Sequence, residues 1–193
     1  MAAPAVAFRP RATYADLVAL PDHVTGEIVA GELIVSPRPA PSHVESASAM
    51  GAIIVGPFRF GRGGPGGWWI EDQPELHLTD GDEVDVVVPD LAGWRRERMP
   101  HLPTEPYFTL PPDWVCEILS PGTAAFDRAA KMPLYQRAGV PHLWLVDPLL
   151  FTLEIYRRDE AGWRLLGTFR NDARVRAEPF QAIELELELL WGR

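Results

Sequence analysis

Residues 114–148 of the chain read WVCEILSPGTAAFDRAAKMPLYQRAGVPHLWLVDP. The apolar run at 114–119 predicts a strand. Residues 124–138 are predicted to be helical, with Pro133 either kinking the helix or starting a second one. Residues 142–146 are almost wholly apolar and follow a helix, which is typical of a central strand buried on both faces of a sheet. The stretch therefore predicts a strand–helix–strand unit at the centre of an α/β domain.

The sequence on either side of this unit supplies the rest of the predicted fold. A helix is expected at 42–55, followed by strands at 68–78 and 83–91. The core then runs helix, three strands, helix and strand. A β-hairpin is predicted near each end of the chain, at 27–35 and at 153–169. We expect one α/β domain with a mixed sheet and two peripheral hairpins.

The composition is that of a soluble globular protein, with 47% apolar and 23% charged residues in a chain of 193. Residues 1–12 are expected to be a flexible N-terminus, and residues 13–193 a single domain. The sequence contains no run of 18 apolar residues, which argues against a membrane-spanning helix. Cys116 is the only cysteine, which excludes an internal disulfide and favours a cytoplasmic location.

The net charge limits the surface through which the protein could bind nucleic acid. With 18 basic and 27 acidic residues the net charge is −9, which excludes a protein whose whole surface binds nucleic acid through counterion release. An enzyme with a local basic patch remains compatible with this charge. Arg95, Arg96 and Arg98 form a short basic run that either holds a nucleic-acid backbone or is a solvated loop paired with Glu97 and Glu105.

Three residues are candidates for chemistry: Asp90, Glu117 and Lys131. The two acids lie in or beside apolar strands, where a carboxylate is costly unless it is paired or binds a metal. If they converge at one end of the sheet, their oxygens suit a hard cation such as Mg²⁺. Lys131 follows on the next helix and could stabilise charge on a phosphate. It is the only lysine, beside 17 arginines, and a compact ammonium is not easily replaced by a guanidinium.

The residues alone leave a structural interpretation open. Glu117 could face solvent from an edge strand, and Asp90 could cap a turn. Lys131 could pair with Asp127, four residues before it, on an exposed helix face. Charged residues in strands usually have explanations of this kind.

Longer motifs resemble the Uma2 family, which is described as a restriction endonuclease domain of the PD-(D/E)XK nuclease superfamily. The resemblance runs from about Tyr14 to the C-terminus. It is densest between Glu117 and Pro148. The matching motifs are Glu27-Ile28-Val29-Ala30-Gly31-Glu32-Leu33, Ser36-Pro37 with His43, Pro89-Asp90, Glu117-Ile118-Leu119-Ser120-Pro121, Asp127, Lys131, Tyr135, Gly139-Val140-Pro141 and Trp144-Leu145-Val146-Asp147-Pro148.

This resemblance implies a restriction-endonuclease-like α-β-β-β-α-β core with a mixed sheet, plus the N- and C-terminal β-hairpins. Asp90 and Glu117 match the two acids of the nuclease motif and would be catalytic residues and metal ligands. The motif lysine would fall at position 119, which is Leu119 here, so the resemblance implies that Lys131 supplies it from the next helix. Glu27 and His43 are the accessory candidates of the site.

The function implied is a metal-dependent endonuclease that hydrolyses phosphodiester bonds in DNA, with Mg²⁺ or Mn²⁺ as cofactor. The alternative is a catalytically silent binding or dimerising scaffold on the same fold, because a fold can outlive its chemistry. In that case the hairpin at 153–169 is a candidate surface for a homodimer. Gly26 and Ala30 depart from the family pattern, which usually has Tyr and Asp there.

Overall fold

The computed structural model describes residues 11–21, 23–80 and 83–193. Most of the predicted flexible N-terminus, at 1–12, lies outside the described residues. The strands are β1 Thr25–Val29, β2 Glu32–Ser36, β3 Trp68–Asp72, β4 Leu76–Asp80, β5 Glu83–Val87, β6 Leu91–Arg95, β7 Trp114–Ile118, β8 His142–Asp147, β9 Thr152–Asp159, β10 Gly162–Arg170, β11 Arg174–Val175 and β12 Leu185–Glu186.

The helices are α1 Tyr14–Val18, α2 Pro41–Ile54, α3 Ala124–Phe126 and α4 Met132–Arg137. A π-helical turn, Val55–Arg59, continues α2, and a second, Asp127–Lys131, joins α3 to α4. Pro133 lies in the first turn of α4, where a missing backbone N–H is tolerated. The backbone at Asp127, Lys131 and Met132 keeps right-handed helical angles, so the helix continues through Pro133 and is distorted by the π-helical turn before it, the first of the two outcomes expected for this proline.

The main sheet has six strands in the order β10-β9-β8-β7-β6-β3. Strands β7 and β8 are parallel and every other neighbouring pair is antiparallel, so the sheet is mixed as predicted. A second sheet has the order β2-β1-β5-β4, and a small one pairs β11 with β12. Both predicted hairpins are present, as β1–β2 and as β9–β10.

The core order α-β-β-β-α-β is confirmed, but two of its strands differ from the prediction. The expected strand 68–78 is split into β3 and β4, which belong to different sheets, and 83–91 contributes β5 to the N-terminal sheet. The middle core strand is β6, at residues 91–95, which begins where the strand predicted at 83–91 was expected to end. Ala92 and Gly93 are weak strand formers. Gly93 nevertheless suits this position, since an added Cβ would lie 2.9 Å from Ile70 Cδ1 and 3.3 Å from the rings of Trp68 and Trp114.

Apolar clusters cover both faces of the main sheet. One lies beneath α2 and the C-terminal segment and includes Met50, Trp144 and Phe180. The other lies beneath α4 and includes Leu134 and Leu145. Along β7, even-numbered residues face the first cluster and odd-numbered residues face the second, which directs residue 117 towards α4. Among the described residues, no helix combines the length and the apolar character needed to cross a membrane.

Candidate active site

Glu117 lies on β7, between β6 and β8 in the middle of the main sheet. Its residue surface is only 3% exposed, so the alternative that it faces solvent from an edge strand is wrong. The hydroxyl of Tyr135, on α4, donates a hydrogen bond to Glu117 Oε1 at 2.6 Å. This bond fixes one oxygen of a carboxylate that has almost no access to bulk water.

Lys131 ends the π-helical turn and is equally buried. Its Nζ lies 2.8 Å from Glu117 Oε1 and 2.9 Å from Glu27 Oε1. Asp127, four residues earlier, lies 3.9 Å away through Oδ1. The predicted Lys131–Asp127 pair therefore exists, but the exposed helix face proposed for it is wrong. The lysine joins carboxylates from β1, β7 and its own turn.

Asp90 lies directly before β6 rather than at the end of an 83–91 strand. Its Oδ2 accepts a hydrogen bond from the backbone N–H of Ile118 at 2.7 Å. The antiparallel register pairs Leu91 with Cys116, and continuing it by one residue sets Asp90 opposite Glu117. Directly opposed residues of an antiparallel pair project from the same face of the sheet. The strand order thus brings the two predicted acids to the same end of the sheet.

The two accessory candidates also lie in this cluster. Glu27, on β1, accepts a hydrogen bond from the backbone N–H of Val88 at 2.8 Å, through the same oxygen that contacts Lys131. His43, in the first turn of α2, places Nε2 3.2 Å from Asp90 Oδ2. The N-terminal sheet and α2 therefore each add one side chain to the end of the main sheet.

These side chains line a cavity of about 380 Å³. We call it the site cavity. Four carboxylates line it, against the single ammonium of Lys131: Glu27, Asp90, Glu117 and Asp127. From the sequence, Asp127 is a pairing partner of Lys131 and a matching position of the family motifs, but not a site candidate; the signal that points to it is its i, i+4 spacing from the only lysine. The cluster is buried and carries an excess of negative charge.

Burial and neighbouring charges raise the pKa values of Glu117, Asp127 and Lys131. Burial raises the pKa of Glu117 well above its usual range, although Lys131 opposes the shift. Burial likewise raises the pKa of Asp127 to about 6. Burial alone would lower the pKa of Lys131, but the carboxylates of Glu117, Glu27 and Asp127 outweigh it and raise that pKa. The site thus holds positive charge more tightly than isolated side chains would.

The donor set suits a hard divalent cation. Within the described residues, the second oxygens of Asp90, Glu117 and Glu27 accept no hydrogen bond, which leaves them available as ligands. In the described part of the chain, no group of three or more His, Cys, Asp or Glu side chains is arranged so that it could hold a metal ion by itself. A cation here would complete its coordination with water or substrate oxygens, as Mg²⁺ commonly does.

The basic run at 95–98 lies away from this site. Strand β6 begins beside Asp90, whereas Arg95 is at its other end, opposite Trp68. Arg96 stacks on Trp69, with Cζ 4.1 Å from the ring centroid, and Arg98 pairs with Asp113 at 2.8 Å. Among the described residues the anionic partner of Arg98 is therefore Asp113 rather than Glu97 or Glu105, and binding of a nucleic-acid backbone by this run stays a prediction.

Comparison with known families assigns the chain. The family model for Uma2, described as "Putative restriction endonuclease", matches residues 12–189. The chain belongs to the Uma2 family. This membership supports a nuclease-like function, and restriction-endonuclease-like families generally use divalent metal ions. No curated protein matches the Uma2 chain.

A solved structure shows the same fold. It is described as a "putative nuclease belonging to DUF820" from Anabaena variabilis, and it is 22% identical to the Uma2 chain with a TM-score of 0.74. The match covers 93% of this chain and 97% of the other. The mixed α/β architecture predicted from the sequence is thereby confirmed.

Proposed function

We propose that this Uma2 protein is a metal-dependent endonuclease that hydrolyses phosphodiester bonds in DNA. The observation that carries the proposal is the burial of Lys131 between the carboxylates of Glu117 and Glu27, in a cavity that Asp90 also lines. A scaffold protein gains nothing from an excess of buried negative charge, which costs folding free energy. A nuclease uses such a cluster to bind a cation and a phosphate.

Asp90 and Glu117 would hold the metal, with Glu27 as a further carboxylate at the site. When bound, Mg²⁺ or Mn²⁺ would lower the pKa of a water molecule and polarise the phosphate. The surrounding residues hold the acids in place. The N–H of Ile118 and the ring of His43 orient Asp90, and Tyr135 orients Glu117.

Lys131 keeps a positive charge at the reacting phosphate. Its raised pKa means that the ammonium stays protonated at neutral pH. Its contacts with Glu117 and Glu27 fix the Nζ atom before substrate arrives, so little reorganisation is needed during the reaction. The position of this lysine on the helix after β7, rather than on β7 itself, leaves residue 119 free to be the apolar Leu119.

Plasmid cleavage by the purified protein tests the proposal. We expect cleavage in Mg²⁺ or Mn²⁺ and none in EDTA. Asp90→Asn and Glu117→Gln should each reduce the rate by about 10²-fold or more. Glu160→Gln, in the exposed turn between β9 and β10, is the matched control and should cleave like the wild type. Absence of cleavage with every divalent metal, or full activity in both acid variants, would overturn the proposal.

A further inference from the structure

The site cavity continues into a second depression. This second cavity, of about 650 Å³, runs along α2 and the end of β3, and we call it the α2 groove. The residues that line both cavities mark the passage between them: Thr25, Arg38, Pro39, His43 and Gln73. Because these residues border both cavities, a ligand that contacts one of them can lie in the site cavity or in the α2 groove.

Arg38 is the one arginine that lines the site cavity in the described part of the chain. Its side chain is exposed and forms no hydrogen bond or ion pair with any described residue. Two other basic side chains of the passage and groove already have partners. His43 contacts Asp90, and Arg59 donates to the carbonyl of Ile70 at 2.8 Å and pairs with Glu71 at 3.0 Å. Arg38 is thus a permanent positive charge available to a ligand.

The backbone around Arg38 is restricted by its sequence. Residues 36–41 read SPRPAP and connect β2 to α2. Proline on each side fixes its own φ, and a residue that precedes proline is confined to extended conformations. The base of the side chain is therefore held in place before binding, which reduces the ordering cost of a contact. A guanidinium presented in this way matches the paired oxygens of a phosphate.

We propose that Arg38 is a substrate-binding residue that holds a DNA backbone phosphate flanking the scissile bond, where the strand passes from the site cavity into the α2 groove. This inference rests on the proposed nuclease function. The four carboxylates of the site cavity repel a polyanion, and Arg38 supplies attraction at the edge of that field. The rest of the DNA would then depend on few ionic contacts, in keeping with the net charge of −9.

DNA binding by fluorescence anisotropy tests the inference. A labelled duplex oligonucleotide is titrated in Ca²⁺ at several salt concentrations, and its length is checked on a gel afterwards. We expect Arg38→Ala to raise Kd about tenfold. The slope of log K against log salt should fall by about 0.9, the value for one lost phosphate contact. Arg38→Lys should retain the slope and part of the affinity.

Arg164→Ala is the matched control, because Arg164 is an exposed arginine on β10 and has no partner among the described residues. This variant should bind DNA like the wild type. If wild-type protein binds DNA and Arg38→Ala shows the same Kd and salt slope, the role of Arg38 is wrong while the nuclease proposal stands. If wild-type protein neither binds nor cleaves DNA, both proposals fall.

Discussion

Arg128 and Lys131 lie three residues apart on one helical turn and form opposite kinds of ion pair. The Arg128 side chain is 40% exposed and makes two parallel hydrogen bonds to the Glu154 carboxylate, at 2.9 and 2.8 Å. The Lys131 side chain is 3% exposed and is shared by Glu117, Glu27 and, at longer range, Asp127. At the surface, one guanidinium neutralises one carboxylate. In the buried cluster, one ammonium is shared by three carboxylates, so negative charge remains in excess.

The difference explains why this chain keeps one lysine beside 17 arginines. A planar guanidinium suits a single carboxylate that it meets side by side, as at Glu154. A compact ammonium suits a point where carboxylates approach from several elements, as at Glu117 and Glu27. The surface pair ties the helix to β9. The buried cluster retains an excess of negative charge. This excess lowers the folding stability, and the proposed metal binding accounts for it.

Replacing each basic residue by an uncharged one should give the largest difference in unfolding free energy between the two ion pairs. We expect Lys131→Met to lose about 3–5 kcal/mol of unfolding free energy at pH 8 in EDTA, because buried carboxylates remain without a partner. Arg128→Met, its matched control, should lose about 1 kcal/mol or less, as is typical of an exposed pair. Chemical denaturation measures both values. Equal losses in the two variants would contradict the comparison.

Exchanging lysine for arginine in one pair, and arginine for lysine in the other, should give a smaller difference in stability. Lys131→Arg forces a larger, planar group into a closed site, and overpacking of this kind costs about 1–3 kcal/mol. Arg128→Lys keeps a charge on the surface and should change stability by less than about 0.5 kcal/mol. Thermal melts of both variants measure the contrast. A Lys131→Arg variant as stable as the wild type would show that the ammonium site is not tightly enclosed.

The two pairs should also respond to pH in opposite directions. Burial raises the pKa of Asp127 to about 6, above its value of about 3.9 in the unfolded chain. The folded protein therefore binds more protons between pH 4 and 6, and stability falls as pH rises through that window. The hydrogen bond from Arg128 lowers the pKa of Glu154 instead, so this pair gains stability as pH rises towards about 4.

Melting curves in EDTA at several pH values, compared with Asp127→Asn and Glu154→Gln, measure these trends. Wild-type protein should lose about 1 kcal/mol per pH unit relative to Asp127→Asn across the window between pH 4 and 6. Relative to Glu154→Gln it should lose stability only below about pH 4. A flat difference against Asp127→Asn would mean that the Asp127 carboxyl has an ordinary pKa.

Much of the fold could be predicted because its signals are local. The apolar run of β8 and the turn of the β9–β10 hairpin are visible within a few residues. Strand β6 could not be predicted in this way, because Ala92 and Gly93 are weak strand formers. Gly93 fits this position through its packing against Trp68, Ile70 and Trp114, which are distant in sequence. Strand assignment between the two sheets depends on contacts distant in sequence and has no local signal.

The sequence predicted which residues form the candidate site. It did not predict that they are buried together. Asp90, Glu117 and Lys131 stand out as charges in apolar surroundings or as a rare residue type. Sequence spacing could not decide between a buried cluster and exposed pairs, since an i, i+4 pair such as Asp127–Lys131 suits either one. The role of Glu27 depends on the N-terminal sheet packing beside the main sheet, which only the tertiary structure reveals.

The central claim is that this excess of carboxylates binds a divalent cation, and calorimetric titration with Mn²⁺ and Mg²⁺ tests it most directly. The wild type and Glu160→Gln should bind the metal with equal affinity. Glu117→Gln should weaken binding by about tenfold or more, because it removes one charged ligand while Tyr135 and Lys131 stay in place. Undetectable binding by the wild type, or unchanged affinity in Glu117→Gln, would contradict the account.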